Sequence, residues 1–155
     1  MIQQTVTVTG EPTATIHHFR LTFPTSRHGA HTARHAAERW LADRRDCPEA
    51  AAGEEGAATA SLLIAELTAN AALHGRVRGR HARLALTLTA GTLRIEVTDA
   101  RGDRLPEPGP GGDGESGSGL LLVASLAGAW GCEPHHPGGK SVWVECVWRP
   151  TATRQ

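Results

Sequence analysis

The chain has 155 residues, and its 16 Lys and Arg residues balance its 16 Asp and Glu residues, so that the formal net charge is zero. This length suits one domain with a hydrophobic core. The balanced charge argues against binding to nucleic acid through bulk electrostatics. No apolar run approaches the length of a membrane span, and the stretch MIQQTVTVTG lacks the features of a secretory signal. The three cysteines are scattered, which is typical of free thiols in the reducing cytoplasm. From these features together we expect a cytoplasmic protein without a direct nucleic-acid or membrane partner.

The first half of the chain predicts one strand and two helices. Residues 15–24 have mostly alternating apolar positions, which predicts a strand. Residues 25–44 begin with a Thr-Ser pair that can cap a helix and continue with an apolar stripe at helical spacing. A second helix is expected from about Glu54 to Leu73, and Gly75 is placed to end it.

The second half predicts two hairpins separated by a loop and a helix. Residues 82–100 alternate between apolar and polar positions on both sides of an Ala-Gly turn, which predicts a β-hairpin. Residues 101–119 are rich in Gly and Pro and are expected to be a mobile loop. Residues 120–131 read as a helix, and residues 132–148 as a second hairpin with its turn near Pro137.

The order of these elements predicts the fold class. Strands grouped in hairpins together with several helices favour a two-layer α/β (α+β) sandwich. Its sheet would be mixed but mostly antiparallel, with the helices on one face. We expect a single domain over residues 1–150, followed by a C-terminal tail at 151–155.

The stretch IAELTANAALHG places Glu66, Asn70 and His74 four residues apart, so they stack on one face of the second predicted helix. One interpretation is the solvated side of an amphipathic helix. The other is chemical, because an Asn amide oxygen is a suitable ligand for a Mg²⁺ ion bound beside phosphates. A Glu one turn earlier could then hold or deprotonate a water molecule or a hydroxyl group.

Two further segments carry candidate binding residues. Asp99, in EVTDARGDRLP, lies where a predicted strand ends; it could accept a hydrogen bond from the amine of adenine, or it could simply form a turn. The segment GESGSGLLLV (114–123) is a glycine-rich loop that runs into a predicted helix. Such a loop offers backbone N–H groups to an anion, although it could equally be a flexible linker. It matches neither the P-loop nor the Rossmann fingerprint.

The three motifs together, in this order, resemble those of the GHKL ATPase superfamily. Within it, the chain is most similar to the small bacterial branch of anti-sigma-factor serine/threonine kinases. The resemblance extends from FPTS at residue 23 to VWVECVW at 142–148. It implies a Bergerat-type ATP-binding fold over residues 1–150, with an ATP lid at about 104–118.

The resemblance also implies roles for residues in the first two motifs. ELTANAALHG matches the N box, in which Glu66 would be the catalytic carboxylate and Asn70 would ligate Mg²⁺. His74 falls where this branch often places a His or Lys near the phosphates. VTDARGDRLP matches the G1 box, in which Asp99 would read adenine.

The remaining implied residues belong to the G2 box and the closing strand. In ESGSGLLLVASLAGAWG, Gly117 and Gly119 would let the backbone close on the phosphates, with Leu120 at the start of the helix. In GGKSVWVE, Ser141 stands where a Thr or Ser supports the adenine site. Relatives often carry an Arg at the position of Ser118.

Three functions remain open from the sequence. The resemblance implies a regulator that binds ATP and Mg²⁺ and phosphorylates a serine of a STAS-domain antagonist, with a sigma factor as a second partner and dimerisation that is common in the branch. The second function is a catalytically inactive module of the same fold that holds a protein partner. The third is a slow ATPase. Arg101 and Asp103 occupy the glycine positions of the usual Asp-x-Gly-x-Gly pattern, which favours the inactive module, whereas Glu66 and Asn70 favour the kinase.

Overall fold

A computed structural model describes residues 4–6, 16–44, 52–89, 91–103 and 123–149. The predicted lid at 104–118 and the tail at 151–155 lie outside these ranges. The described strands and helices are β1 (Gln4–Val6), β2 (Ile16–Pro24), α1 (Arg27–Ala42), α2 (Glu54–His74), β3 (His81–Thr89), β4 (Thr92–Asp99), β5 (Ala129–His135) and β6 (Gly139–Val147).

The strands form one sheet in the order β1-β2-β3-β4-β6-β5, and every strand pairing described is antiparallel. Both predicted hairpins are present, as the pairs β3–β4 and β5–β6. The helices α1 and α2 pack against each other and contact the sheet through β2, β4 and β6. The predicted two-layer α+β architecture is therefore confirmed.

The hydrophobic core lies between the sheet and the two helices, and strand alternation selects its residues. On β3, β4 and β6, alternate side chains point into the core, and the buried apolar ones are Ala82, Leu84, Leu86, Leu88, Leu93, Ile95, Val97, Val142, Val144 and Cys146. Burial raises the pKa of the Cys146 thiol to about 11, so this thiol stays neutral and packs as an apolar group. The intervening side chains form the opposite surface of the sheet, which we call the open face.

The two helices close the core in the manner that their sequences predict. The Ser26 hydroxyl caps α1 by accepting a hydrogen bond of 2.9 Å from the backbone N–H of Gly29. Trp40 of α1 is buried and packs against Phe19 of β2, with ring centroids 5.7 Å apart. Gly75 follows the last residue of α2, as expected, and its N–H donates to the carbonyl of Ala71.

Helix α2 departs from one expectation. It has 21 residues, and an 18-residue window within it has a mean hydropathy of 1.3, so by length and composition this helix could cross a membrane. The hydropathy of α2 is high because it is rich in alanine and leucine. Six residues of the helix are buried in the core, namely Ala60, Leu63, Ile64, Leu67, Thr68 and Ala71. A core helix passes the same test of length and hydropathy, and α2 packs on the sheet and on α1.

The structure corrects the predicted helix over residues 120–131. Only residues 123–126 are helical within the described part of this segment, and β5 begins at Ala129. At residues 129–131, the end of the predicted helix, ladder hydrogen bonds to β6 replace helical ones. Strand β1, at the edge of the sheet, was not predicted.

Candidate functional site

Helix α2 carries Glu66, Asn70 and His74 along one flank, as their spacing predicts. The opposite flank of α2 faces α1, and small residues of α2 such as Ala65 and Ala69 line the cleft between the two helices. All three polar side chains are half-buried. They therefore border the core without belonging to either the helix interface or a fully solvated face.

This flank has unused hydrogen-bonding capacity. Among the described residues, neither Glu66 nor Asn70 has a hydrogen-bond or ion-pair partner, and the Nε2 atom of His74 is buried without one. A buried polar atom left unpaired is costly, so such atoms in native proteins usually serve a ligand or a bound water molecule. The donor set of carboxylate, amide oxygen and imidazole fits a Mg²⁺ ion and phosphate oxygens.

Asp99 lies at the end of β4 and is one of the few buried charged residues, at 5% exposure. Its Oδ1 atom accepts a hydrogen bond of 2.8 Å from the backbone N–H of Arg101, so Asp99 does form the turn that its sequence context allowed. The Lys140 ammonium lies 3.1 Å from Oδ1 and 3.0 Å from Oδ2. Lys140 also donates a hydrogen bond of 2.6 Å to the carbonyl oxygen of Arg101.

The Asp99–Lys140 pair joins three parts of the chain. Lys140 is buried at the start of β6, directly opposite Asp99 in the register. Its three donors serve the carboxylate and the turn that follows β4. The carboxylate is thus already engaged before any adenine amine reaches it, although a carboxylate offers about four acceptor sites.

Gly75 brings the end of α2 against this pair. A Cβ atom at this position would lie 2.7 Å from the Cβ of Asp99 and would overlap its carboxylate. Since Gly75 directly follows His74, the polar flank of α2 ends beside Asp99. The structure therefore brings the C-terminal end of the predicted N box against Asp99 of the predicted G1 box.

Gly102 has a packing role in the turn after β4. Its N–H donates a hydrogen bond of 2.8 Å to the carbonyl of Gly138, and an added Cβ would lie 2.6 Å from the carbonyl oxygen of Gly139. The glycine thus lets this turn pack on the β5–β6 turn. Beside it, Arg101 and Asp103 form an ion pair of 3.1 Å at the surface.

Ser141 lies on the other side of the sheet from Asp99. Its hydroxyl is 2.6 Å from that of Thr98, the neighbour of Asp99 on β4, and both side chains point to the open face. The structure does not bring Ser141 to the carboxylate of Asp99, which was predicted to read adenine. Lys140, one residue earlier, occupies that place, and sequence reasoning missed it. The alternation of β6, with Val142 in the core, was the signal that could have found it.

The remaining predicted residues lie beyond the described ranges. Gly117, Gly119 and Leu120 fall between residues 103 and 123. Among the residues that are described, no group of three His, Cys, Asp or Glu side chains could hold a metal ion. Asn70 thus remains the predicted Mg²⁺ ligand, acting through its amide oxygen.

Comparison with known proteins supports the same family. Residues 23–146 match a family model described as a histidine kinase-like ATPase domain. A chain in the crystal structure of the SiaB–SiaC complex from Pseudomonas aeruginosa has a similar fold, with a TM-score of 0.50 and 15% sequence identity; the match covers 83% of this chain and 89% of that one. No curated protein sequence matches the chain.

Proposed function

Because the chain belongs to the histidine kinase-like ATPase family, we propose that it is an ATP-binding regulator of the anti-sigma-factor type. Its activity would be that of a serine/threonine protein kinase, and its substrate a STAS-domain antagonist of a sigma factor. The half-buried flank of Glu66, Asn70 and His74, which ends beside Asp99, is the observation that carries this proposal. The fold similarity to a chain that occurs in a two-protein complex fits a partner-binding regulator.

The proposal assigns a distinct task to each residue of the flank. Asn70 would hold Mg²⁺, which neutralises charge on the phosphates when it is bound. Glu66 would accept the proton of the serine hydroxyl. The serine oxygen would then bond to the γ-phosphorus of ATP as the bond between this phosphorus and ADP breaks. His74 would donate its unpaired N–H to a phosphate oxygen. Phosphoryl transfer depends mainly on positioning and charge neutralisation, so these few groups suffice.

The wider organisation forms part of the same proposal. One cytoplasmic domain over residues 1–150 would carry both the nucleotide and the partner, with the lid at about 104–118 closing over ATP. A sigma factor would be the second partner, and the protein would act as a homodimer.

The Asp99–Lys140 pair favours a second candidate function. Lys140 uses both oxygens of the carboxylate that would read adenine, so nucleotide binding must compete with this buried contact. A catalytically inactive module of the same fold, which holds a protein partner without phosphorylating it, needs no such competition.

The kinase proposal predicts that Glu66→Gln abolishes phosphoryl transfer and leaves ATP binding intact. Removing a general base typically lowers the rate by about 100-fold or more. Transfer of labelled γ-phosphate to a serine of a purified STAS-domain protein measures the effect. Glu55→Gln, at an exposed position in the first turn of α2, is the matched control and should retain the wild-type rate. Equal rates for both variants would remove Glu66 from the reaction, whereas absence of transfer by the wild-type protein would leave the inactive module.

A further inference from the structure

A cavity of about 350 Å³ opens on the face of the sheet that is turned away from the helices. The register places Thr22, Arg83 and Thr98 in one row across β2, β3 and β4. Their chain neighbours Phe23, Ala82 and Val97 point into the core and are buried, so this row lies on the open face. The cavity therefore lies across the sheet from the polar flank of α2, and Asp99, which lines the cavity, is the residue beside which that flank ends.

The walls of this cavity concentrate basic side chains. Two arginines, which carry positive charge, and three histidines line it, namely Arg80, His81, Arg83, His135 and His136. Within the described residues, neither arginine forms an ion pair. Asp99 contributes the only carboxylate in the lining, and Lys140 already neutralises it.

Such a cluster needs an explanation in a chain whose formal net charge is zero. Cations that share a cavity repel each other unless an anion joins them. Arginine side chains match phosphate oxygens with two parallel donors, and the hydroxyls of Thr22 and Thr98 add neutral donors beside them. The volume lies within the range of small-molecule sites, about 300–1,000 Å³, so it can hold more than an isolated ion.

We propose that this open-face cavity binds the phosphate group of a small phosphorylated molecule, at a site independent of the α2 flank. Arg83 lies between the two threonines in the row, and Arg80 and the histidines His135 and His136 line the cavity with it. The proposal does not depend on kinase activity, since Arg80, Arg83 and the histidines lie outside the motifs that carry the kinase proposal.

Titration with pyrophosphate tests this site directly. Binding is measured by calorimetry at constant ionic strength, together with NMR shifts of the His135 and His136 imidazole signals. Arg83→Gln should weaken binding about tenfold, the effect of one lost charge-assisted contact. Arg20→Gln is the matched control, because Arg20 is exposed on the same face and does not line the cavity. Arg80→Gln provides a second variant if Arg83→Gln fails to fold.

The α2 flank could also attract pyrophosphate, and Asn70→Ala separates the two sites. The proposal predicts that Asn70→Ala leaves pyrophosphate affinity and the histidine shifts unchanged. Loss of binding in Asn70→Ala, or equal affinities in Arg83→Gln and Arg20→Gln, would overturn it. Failure of the kinase proposal would appear only in the ATP and phosphotransfer measurements and would leave this result unaffected.

Discussion

At the scale of single residues, the Asp99–Lys140 pair has the strongest influence on the candidate site. Both side chains are nearly inaccessible, with relative exposures of 4% for Asp99 and 6% for Lys140. Removing one partner of a buried pair leaves the other charge without compensation, which costs far more than the pair contributes. The pair therefore ties the turn after β4 to the start of β6.

We expect Lys140→Met to lower the free energy of unfolding by about 3 kcal/mol, because it leaves the Asp99 carboxylate buried without its ammonium. Urea denaturation measures the loss, and the double variant Asp99→Asn/Lys140→Met should recover part of it. Arg94→Gln is the control: Arg94 pairs with Glu145 at 3.1 Å, but both side chains are about one-third exposed. Such a pair contributes about 1 kcal/mol or less. Equal losses in the two single variants would contradict the account.

The sequence predicted the residues of the α2 flank and missed Lys140 for different physical reasons. Spacing along one helix determines which side chains share a face, so Glu66, Asn70 and His74 follow from the sequence alone. The partner of Asp99 depends on the register between β4 and β6, which only the folded sheet fixes. Ser141 and Lys140 differ by one residue, and this single step moves a side chain to the other face.

At the scale of elements, the glycines near the two ends of α2 have different surroundings. Gly56 lies in the first turn, where an added Cβ would meet Ala52 at 3.4 Å, an ordinary contact. Gly75 follows the last turn and lies against Asp99, with no space for a side chain. Gly56 can therefore be replaced by alanine, whereas the packing of the end of α2 on Asp99 requires a glycine at position 75.

We predict that Gly56→Ala stabilises the protein by about 0.5–1 kcal/mol, because alanine has the higher helix propensity. Gly75→Ala should destabilise it by about 1–3 kcal/mol, since the methyl group must displace the Asp99 carboxylate or the end of α2. Urea midpoints of the two variants, measured side by side, should move in opposite directions. Shifts of the same sign would show that α2 does not approach β4 as described.

The elements themselves were largely predictable. Period-two alternation located both hairpins, and capping residues with helical periodicity located α1 and α2. The prediction of a helix over residues 120–131 was wrong at its end, because the pairing of residues 129–131 with β6 is a tertiary effect. Local signals therefore predicted elements whose sequence preference agrees with their tertiary contacts.

At the scale of the whole molecule, the sheet separates two polar regions of different charge. The helix side carries the carboxylate, amide and imidazole of the α2 flank, and the open face carries the cationic cavity around Arg83. The formal net charge of zero conceals this asymmetry. The family, the fold and the position of the α2 flank beside Asp99 together favour nucleotide binding at this flank, which is the central claim of the account.

Titration of ATP with and without Mg²⁺, on wild type and Asn70→Ala, tests that claim most directly. The account predicts Mg²⁺-dependent binding that Asn70→Ala weakens by about tenfold or more, as expected for lost metal ligation. Leu73→Ala, at an exposed position on the same helix, should bind like wild type. Absence of ATP binding at millimolar concentrations, or equal affinities in wild type and Asn70→Ala, would contradict the account.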